Sequence, residues 1–173
     1  MYELFLSPLV MASALRLMTP VLFAAMGGSF GHKAKVLCLG LESFMAFAAF
    51  FAMYGSYTFE SAYAGLLFGV LSAMIASCIF AVFVLIFKST PVIVGIALNL
   101  AAWGGTTYLL SMIFKTRGVF IDPQIKSFGS IDIPLIKDIP YIGKFLSGQN
   151  ILVYLSLVFM IIAYIIMFKT PFG

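Results

Sequence analysis

The sequence contains very little charge. Asp, Glu, Lys and Arg make up 9% of its 173 residues, whereas soluble domains carry about 25%. Hydrophobic residues make up 63%, and the mean hydropathy is +1.14. A soluble fold of this length could not cover so much apolar surface, and a disordered chain would be rich in charge and poor in aromatics. The composition excludes both classes and predicts an integral membrane protein with a lipid bilayer around it.

Residues that carry covalent or metal chemistry are also scarce. The two cysteines, Cys38 and Cys78, lie in apolar stretches without paired spacing, and His32 is the single histidine. The sequence therefore predicts no disulfide framework and no metal site. It also lacks the GxSxG setting of serine hydrolases and the GxxxxGK[ST] phosphate loop. We expect no catalytic residues and no cofactor, and the net charge of +4 is too small to predict a nucleic-acid partner.

Long apolar runs dominate what is present. Five of them are long enough to be read as spans, and none alternates polar and apolar residues as barrel strands do. We therefore predict an all-α, polytopic transmembrane helical bundle of about five spans, organised as a single domain over residues 1–173. The predicted spans cover about 6–30, 36–54, 62–87, 92–114 and 151–168, separated by turns at 31–35, 55–61 and 88–91 and by a polar connection over 115–150.

The second span is predicted to be broken at its start. Gly27, Gly28, Gly31 and Gly40 surround a short polar turn. Interrupted helices of this kind line the substrate sites of transporters, where unwound backbone offers hydrogen bonds. Small residues at such positions also let helices pack closely. The sequence leaves both interpretations open.

Basic residues give a prediction of orientation. Their number on the two sides, four against five, does not decide it, but those in short turns lie closest to the membrane and count for more. We predict that the short basic turns, at 31–35, at 88–91 and after the fifth span, are cytoplasmic. The amino terminus and the 115–150 connection are predicted to be outside. The first group is Lys33, Lys35, Lys88 and Lys169, and the second is Lys115, Arg117, Lys126, Lys137 and Lys144.

Glu42 is the acid that lies within a predicted span. A charged side chain at the centre of a membrane helix costs roughly 2.5–3.5 kcal/mol on insertion scales, so it faces a partner or a water-filled cavity. One hypothesis is that Glu42 lines a transport path. The other is that it lies near an interface and pairs with Lys35 or Arg16 to hold the bundle together.

Asn99 and Trp103 form a second polar pair, on the fourth span. Their spacing of four residues places them on one helix face. An amide and an indole together could bind a ring-bearing or hydroxylated solute. The structural alternative, which the residue types favour, is a hydrogen bond from Asn99 to another helix, worth about 0.6 kcal/mol on average.

Two stretches resemble the permease subunits of bacterial ABC importers, in the branch shared by ribose-type, branched-chain amino-acid-type and nucleoside-type systems. Residues 15–30 (LRLMTPVLFAAMGGSF), continuing through 40–42 (GLE), are similar to that family's Leu-Arg-x-x-Thr-Pro-Leu entry, Gly-Gly turn and Gly-Leu-Glu-Gly segment. Residues 94–100 (VGIALNL) resemble its Ser-Gly-Leu-Ala-Leu-Asn segment. Residues 133–150 are similar to its extracytoplasmic loop, and the sugar and nucleoside branch is the nearest.

The resemblance implies a transport mechanism and its partners. Two permease subunits would form a pathway in the bacterial cytoplasmic membrane, two ATP-binding cassette subunits would drive it, and an extracytoplasmic solute-binding lipoprotein would deliver a nucleoside or sugar-like solute. Glu42 and Asn99 match the family's motif segments, whereas Cys38 and Ser43 stand where the family usually has Asn and Gly. We predict that Glu42, Ser43, Asn99 and Trp103 line the substrate pathway.

The resemblance also implies a longer protein. In the family, a basic cytoplasmic segment and further spans follow at about the position of Lys169. We therefore expect this chain to be the amino-terminal half of a permease. The alternative is a membrane scaffold or assembly protein, or an inactive permease fragment, in which Glu42 and Asn99 are packing residues.

Overall fold

Five helices form nearly all the regular structure of the residues that this computed structural model describes, which are 8–116, 122, 125, 128–131 and 149–170. Two strands of two residues each, β1 (Ser130–Ile131) and β2 (Gln149–Asn150), pair antiparallel. The predicted all-α bundle is confirmed. The helices are α1 (Pro8–Lys33), α2 (Leu41–Phe59), α3 (Ala62–Ala81), α4 (Pro91–Phe114) and α5 (Ile151–Lys169), and a π-helical turn (Val82–Ile86) continues α3.

Four of these helices are long and apolar enough to cross a membrane, over the ranges Val10–Lys33, Ala62–Ile86, Pro91–Phe114 and Ile151–Lys169. Their large apolar side chains are mostly exposed, with Leu100 at 71% and Ile86 at 70%. Such surface is stable in lipid and costly in water. The helix α2, which carries Glu42 in its first turn, is a fifth element of 19 residues that is not among these four.

The chain divides into two compact units. The first consists of Met1–Phe30 and Phe128–Gly173 and contains most of α1, together with α5. The second is Gly31–Ser127 and contains α2, α3 and α4. The single domain over 1–173 and the extracytoplasmic position of residues 115–150 stay predictions, and most of 115–150 lies outside the described residues.

Helices α2 and α3 form a closely packed antiparallel hairpin in the second unit. A Cβ atom on Gly65 would lie 2.7 Å from the Ala52 carbonyl oxygen, and one on Gly69 would lie 3.1 Å from the Ala48 carbonyl oxygen. On the other helix, a Cβ atom on Gly55 would lie 2.9 Å from the Phe68 Cβ. Glycines therefore let the two backbones approach to a distance that no larger side chain allows.

This hairpin corrects the predicted loop at 55–61. Gly55 and Ser56 are helical and buried, and α2 continues to Phe59 before Glu60 turns the chain in the left-handed conformation with φ of 47°. The sequence signal was misread because glycine and serine favour turns in water, whereas between membrane helices they are packing residues.

The end of α1 corrects the predicted turn at 31–35. The helix continues to Lys33 and closes with two backbone hydrogen bonds, from Val36 N–H to the Gly31 carbonyl and from Lys35 N–H to the His32 carbonyl, both 3.0 Å. Lys35 adopts a φ of 58°. These features make a Schellman motif, with a lysine at the position where glycine is usual.

Candidate functional site

The first turn of α2 begins where three elements of the second unit meet. Residues 34–40, the connecting segment, are not helical, and α2 starts at Leu41 rather than at 36 as predicted. The Phe80 ring of α3 lies 6.0 Å, edge to face, from the Phe44 ring of α2. A Cβ atom on Gly40 would be 3.6 Å from the Phe80 ring and 3.5 Å from the Phe44 ring. Aromatic side chains therefore enclose the start of α2 on one side.

Helix α4 encloses the other side at Gly95. A Cβ atom there would lie 3.0 Å from the Gly40 backbone nitrogen and 3.0 Å from the Leu39 Cβ. That distance is shorter than nearly all real Cβ contacts, so glycine is what lets the connecting segment rest directly on α4. Gly95 itself is buried.

Asn99, one turn further along α4, hydrogen-bonds the backbone on both sides of Gly40. Its Oδ1 accepts the Ser43 N–H at 3.0 Å, and its Nδ2 donates to the Leu39 carbonyl at 3.2 Å. Gly40 is the N-cap residue of α2 and has no side chain to cap the helix. Asn99 therefore satisfies, from another helix, one of the N–H groups that a helix start leaves without a partner.

Ser43 is completely buried in this junction. Its exposure is 0%, and its Oγ donates to the Gly40 carbonyl at 2.6 Å. The junction therefore consists of Leu39, Gly40, Ser43, Gly95 and Asn99, and we call it the Gly40 junction. The sequence singled out Gly40, Ser43 and Asn99, but it gave Gly95 no role of its own.

Glu42 lies in the first turn of α2 and is exposed. A negative side chain near a helix N-terminus interacts favourably with the helix dipole, by about 0.3–1 kcal/mol, which offsets part of the cost of an acid in this setting. Among the described residues, no ion pair joins Glu42 to Lys35. Arg16, the other partner considered, donates from Nε to the Oε1 of Gln149 at 2.9 Å.

Trp103 is not brought into the junction. It follows Asn99 by one turn of α4, but its side chain is 63% exposed. Among the described residues, its indole takes part in no hydrogen bond or ring contact. Two of the four predicted pathway residues, Ser43 and Asn99, are therefore in direct contact, Glu42 adjoins them in the chain, and Trp103 stands apart.

A second polar contact, in the first unit, was missed from the sequence. Gln149 is 1% exposed, accepts the Arg16 hydrogen bond, and donates from Nε2 to the Ala12 carbonyl of α1 at 3.4 Å. Arg16 lies four residues before Pro20, which has no N–H to give to the Arg16 carbonyl. The available signal was an intramembrane arginine, which requires a polar partner somewhere in the chain.

Comparison with known proteins identifies relatives of this chain. The family model described as "Branched-chain amino acid transport system / permease component" matches residues 10–173. The chain is 31% identical over 175 residues to the nucleoside ABC transporter permease protein NupC of Lactococcus lactis subsp. cremoris (strain MG1363), covering 95% of this chain and 53% of that protein. It is 30% identical over 161 residues to the guanosine ABC transporter permease protein NupQ of Bacillus subtilis (strain 168), covering 89% and 50%.

The extent of these matches decides what they establish. The chain spans about half the length of the curated relatives it matches. No solved structure matches it. The family model nevertheless covers nearly the whole chain, and the spanning helices lie within the matched range. The chain therefore belongs to the family of branched-chain amino acid transport system permease components and is a multi-pass protein of the cytoplasmic membrane.

Proposed function

We propose that this chain forms part of the permease subunit of an ATP-driven (ABC) importer that moves a nucleoside into the cell. The observation that carries the proposal is the family match over residues 10–173, together with two relatives whose names are nucleoside and guanosine permease. Those names favour a nucleoside over the sugar-like solutes that the sequence also left open. They also disfavour the scaffold alternative, because both relatives are transport subunits.

The geometry of the Gly40 junction supports a transport role. At about 1.5 Å per residue, Gly95 and Asn99 lie about 6 and 12 Å along α4 from Pro91, so the interrupted start of α2 lies inside the ends of its neighbours. Helix starts at such depth, with unwound backbone before them, occur where transporters bind their substrates. In this proposal, the pathway passes the junction, and Glu42, Ser43, Asn99 and Trp103 lie along it.

The chain performs no covalent chemistry in this proposal. Separate ATP-binding cassette subunits hydrolyse ATP, a second permease subunit completes the pathway, and an extracytoplasmic solute-binding lipoprotein delivers the solute. Transport then proceeds by alternating access, with helices rearranging around a site within the membrane.

Uptake of labelled nucleosides in membrane vesicles tests the proposal directly. The full-length gene is expressed with its ATPase and receptor, and Glu42→Gln is compared with the wild-type protein and with Thr107→Ala. Thr107 is an exposed residue of α4 whose hydroxyl, among the described residues, bonds the Trp103 carbonyl of its own helix. We expect ATP-dependent uptake that falls by about tenfold in Glu42→Gln, since an exposed intramembrane acid is retained for function, and that is unchanged in Thr107→Ala.

Two results would contradict this expectation. Nucleoside uptake that is absent with all partners present, at normal protein levels, would overturn the proposed importer. Normal uptake by Glu42→Gln would remove Glu42 from the pathway and return it to a role at the start of α2. Sugars measured in parallel decide whether the nucleoside assignment is correct.

A further inference from the structure

The Gly40 junction joins three pieces of backbone through one side chain. Asn99 uses its acceptor on the α2 side of Gly40 and its donor on the side of the connecting segment. The amide has two acceptor lone pairs and two N–H donors, and one of each is bound to a backbone atom of this junction.

The cost of losing these bonds is high in a membrane. The Leu39 carbonyl and the Ser43 N–H lie outside the regular hydrogen bonds of α2, because Leu39 precedes the helix and the first N–H groups of a helix have no partner within it. Backbone groups that lose their partners in an apolar layer have no water to replace them, and each costs several kcal/mol. The connecting segment is therefore held in place from outside, and Asn99 supplies one bond to it, at Leu39, and one to the first turn of α2, at Ser43.

Gly95 provides an independent observation for the same conclusion. It precedes Asn99 by one turn of α4, and its missing side chain leaves space only for Leu39 and Gly40. Gly95 and Asn99 thus form one surface of α4, which we call the seat. The non-helical backbone before α2 contacts the seat at Gly95 and is hydrogen-bonded to it at Asn99. Neither feature depends on the other.

We infer that Asn99 is a positioning residue for transport, which fixes the connecting segment and the first turn of α2 against α4 so that Glu42 is presented at a defined place in the pathway. This inference rests on the proposed importer and assigns the role of one of its pathway residues. Asn99 acts through the backbone of Leu39 and Ser43, and Gly95 is part of the same seat.

The experiment measures the seat separately from transport. In full-length protein in vesicles, Asn99→Ala, Asn99→Asp and Gly95→Ala are treated with a thiol-reactive maleimide, and labelling of Cys38 is followed by peptide mass spectrometry. Cys38 lies in the connecting segment and is half-buried. Cys78 lies within the spanning range Ala62–Ile86, so it is replaced by alanine in every variant, and the labelling rate of Cys38 in the otherwise unchanged protein is the reference. Uptake of several nucleosides gives KM and maximal rate for each variant, with Thr107→Ala as the matched control.

A positioning role predicts a specific pattern. Release of the segment raises the labelling rate of Cys38 by about tenfold in Asn99→Ala over the reference protein, because local opening exposes the Cys38 thiol. The maximal rate falls by a similar factor for every nucleoside while KM changes by less than about twofold, since the residue does not touch the solute. Gly95→Ala shows the same pattern to a smaller extent, and Thr107→Ala shows none of it.

Asn99→Asp separates the two hydrogen bonds. The carboxylate still accepts from the Ser43 N–H, but it cannot donate to the Leu39 carbonyl and repels it. We expect Cys38 labelling in Asn99→Asp to rise at least as much as in Asn99→Ala. The seat does not exist if Cys38 labelling is unchanged in both Asn99 variants.

Two further outcomes are decisive. A raised KM for some nucleosides, with Cys38 labelling unchanged, would make Asn99 a direct solute contact and overturn the positioning role. If no nucleoside is transported even by the wild-type protein, the proposed function fails, but increased Cys38 labelling would still establish the seat. The two proposals therefore fail through different measurements.

Discussion

Several polar side chains in the described part of the chain bind backbone atoms. Asn99 and Gln149 each donate to a carbonyl of another segment, and the buried hydroxyls of Ser43 and Ser156 each donate to a carbonyl three residues earlier in the chain. A neutral amide can satisfy a carbonyl and an N–H together, which a charged group cannot do in apolar surroundings. These amides therefore lie where the chain leaves regular helix, at the start of α2 and just before α5.

Gln149 gives the first prediction at the scale of a residue. Gln149→Leu removes the acceptor for Arg16 and the donor to the Ala12 carbonyl from a site that is 1% exposed. We expect a loss of about 1–3 kcal/mol in the free energy of unfolding, because the partners left behind are not solvated. Thermal or denaturant unfolding of the purified protein in detergent measures it.

Ser29→Ala is the matched control for this change. Ser29 also lies in the first unit, but it is exposed, and within the described ranges its hydroxyl bonds the Ala25 carbonyl of its own helix. Its loss is expected to change stability by less than about 0.5 kcal/mol. Equal effects of Gln149→Leu and Ser29→Ala would show that the buried amide contributes nothing to stability.

At the scale of the elements, the hairpin of α2 and α3 is held by close backbone approach. Gly65 and Gly69 are spaced four apart on α3 and face Ala48 and Ala52, also spaced four apart on α2. Because lipid tails are as apolar as leucine, helices in a membrane gain more from such contact than from burying apolar surface. The GxxxG spacing at 65–69 was the sequence signal for this interface, and it was missed.

The hairpin predicts opposite effects for two glycine-to-alanine changes. Gly65→Ala places a Cβ atom 2.7 Å from a backbone oxygen, so α2 and α3 must separate, and we expect a loss of about 1–3 kcal/mol in unfolding free energy. A Cβ atom on Gly104 of α4 would meet no atom of the described part of the protein within 4 Å. Gly104→Ala should stabilise the helix by up to about 1 kcal/mol, because alanine is the better helix former.

Unfolding in mixed detergent micelles measures both variants under the same conditions. The sign of the difference is the informative quantity, since it does not depend on the micelle used. Stabilisation of similar size in both variants would mean that helix propensity rather than the α2–α3 interface governs the response, and the proposed close packing would then be wrong.

For the whole molecule, the sequence predicted what depends on apolar length and missed what depends on contacts. The third and fourth spans were predicted at 62–87 and 92–114, and the structure has Ala62–Ile86 and Pro91–Phe114. The start of α2 was misplaced by five residues, because it is decided by Gly95 and Asn99 on another helix. The sequence identified Asn99 as polar but could not show which backbone groups it binds.

The orientation of the whole chain is the last prediction. We expect residue 89, between α3 and α4, to be cytoplasmic and residue 127, in the 115–150 connection, to be outside, because basic residues in short turns are retained on the cytoplasmic side. Ser89→Cys and Ser127→Cys are introduced singly into full-length protein whose native cysteines are replaced. A membrane-impermeant maleimide applied to intact cells should label only Ser127→Cys, and both variants after the membrane is permeabilised. Labelling of Ser89→Cys alone in intact cells would invert the predicted orientation, and with it the side from which a solute reaches the Gly40 junction.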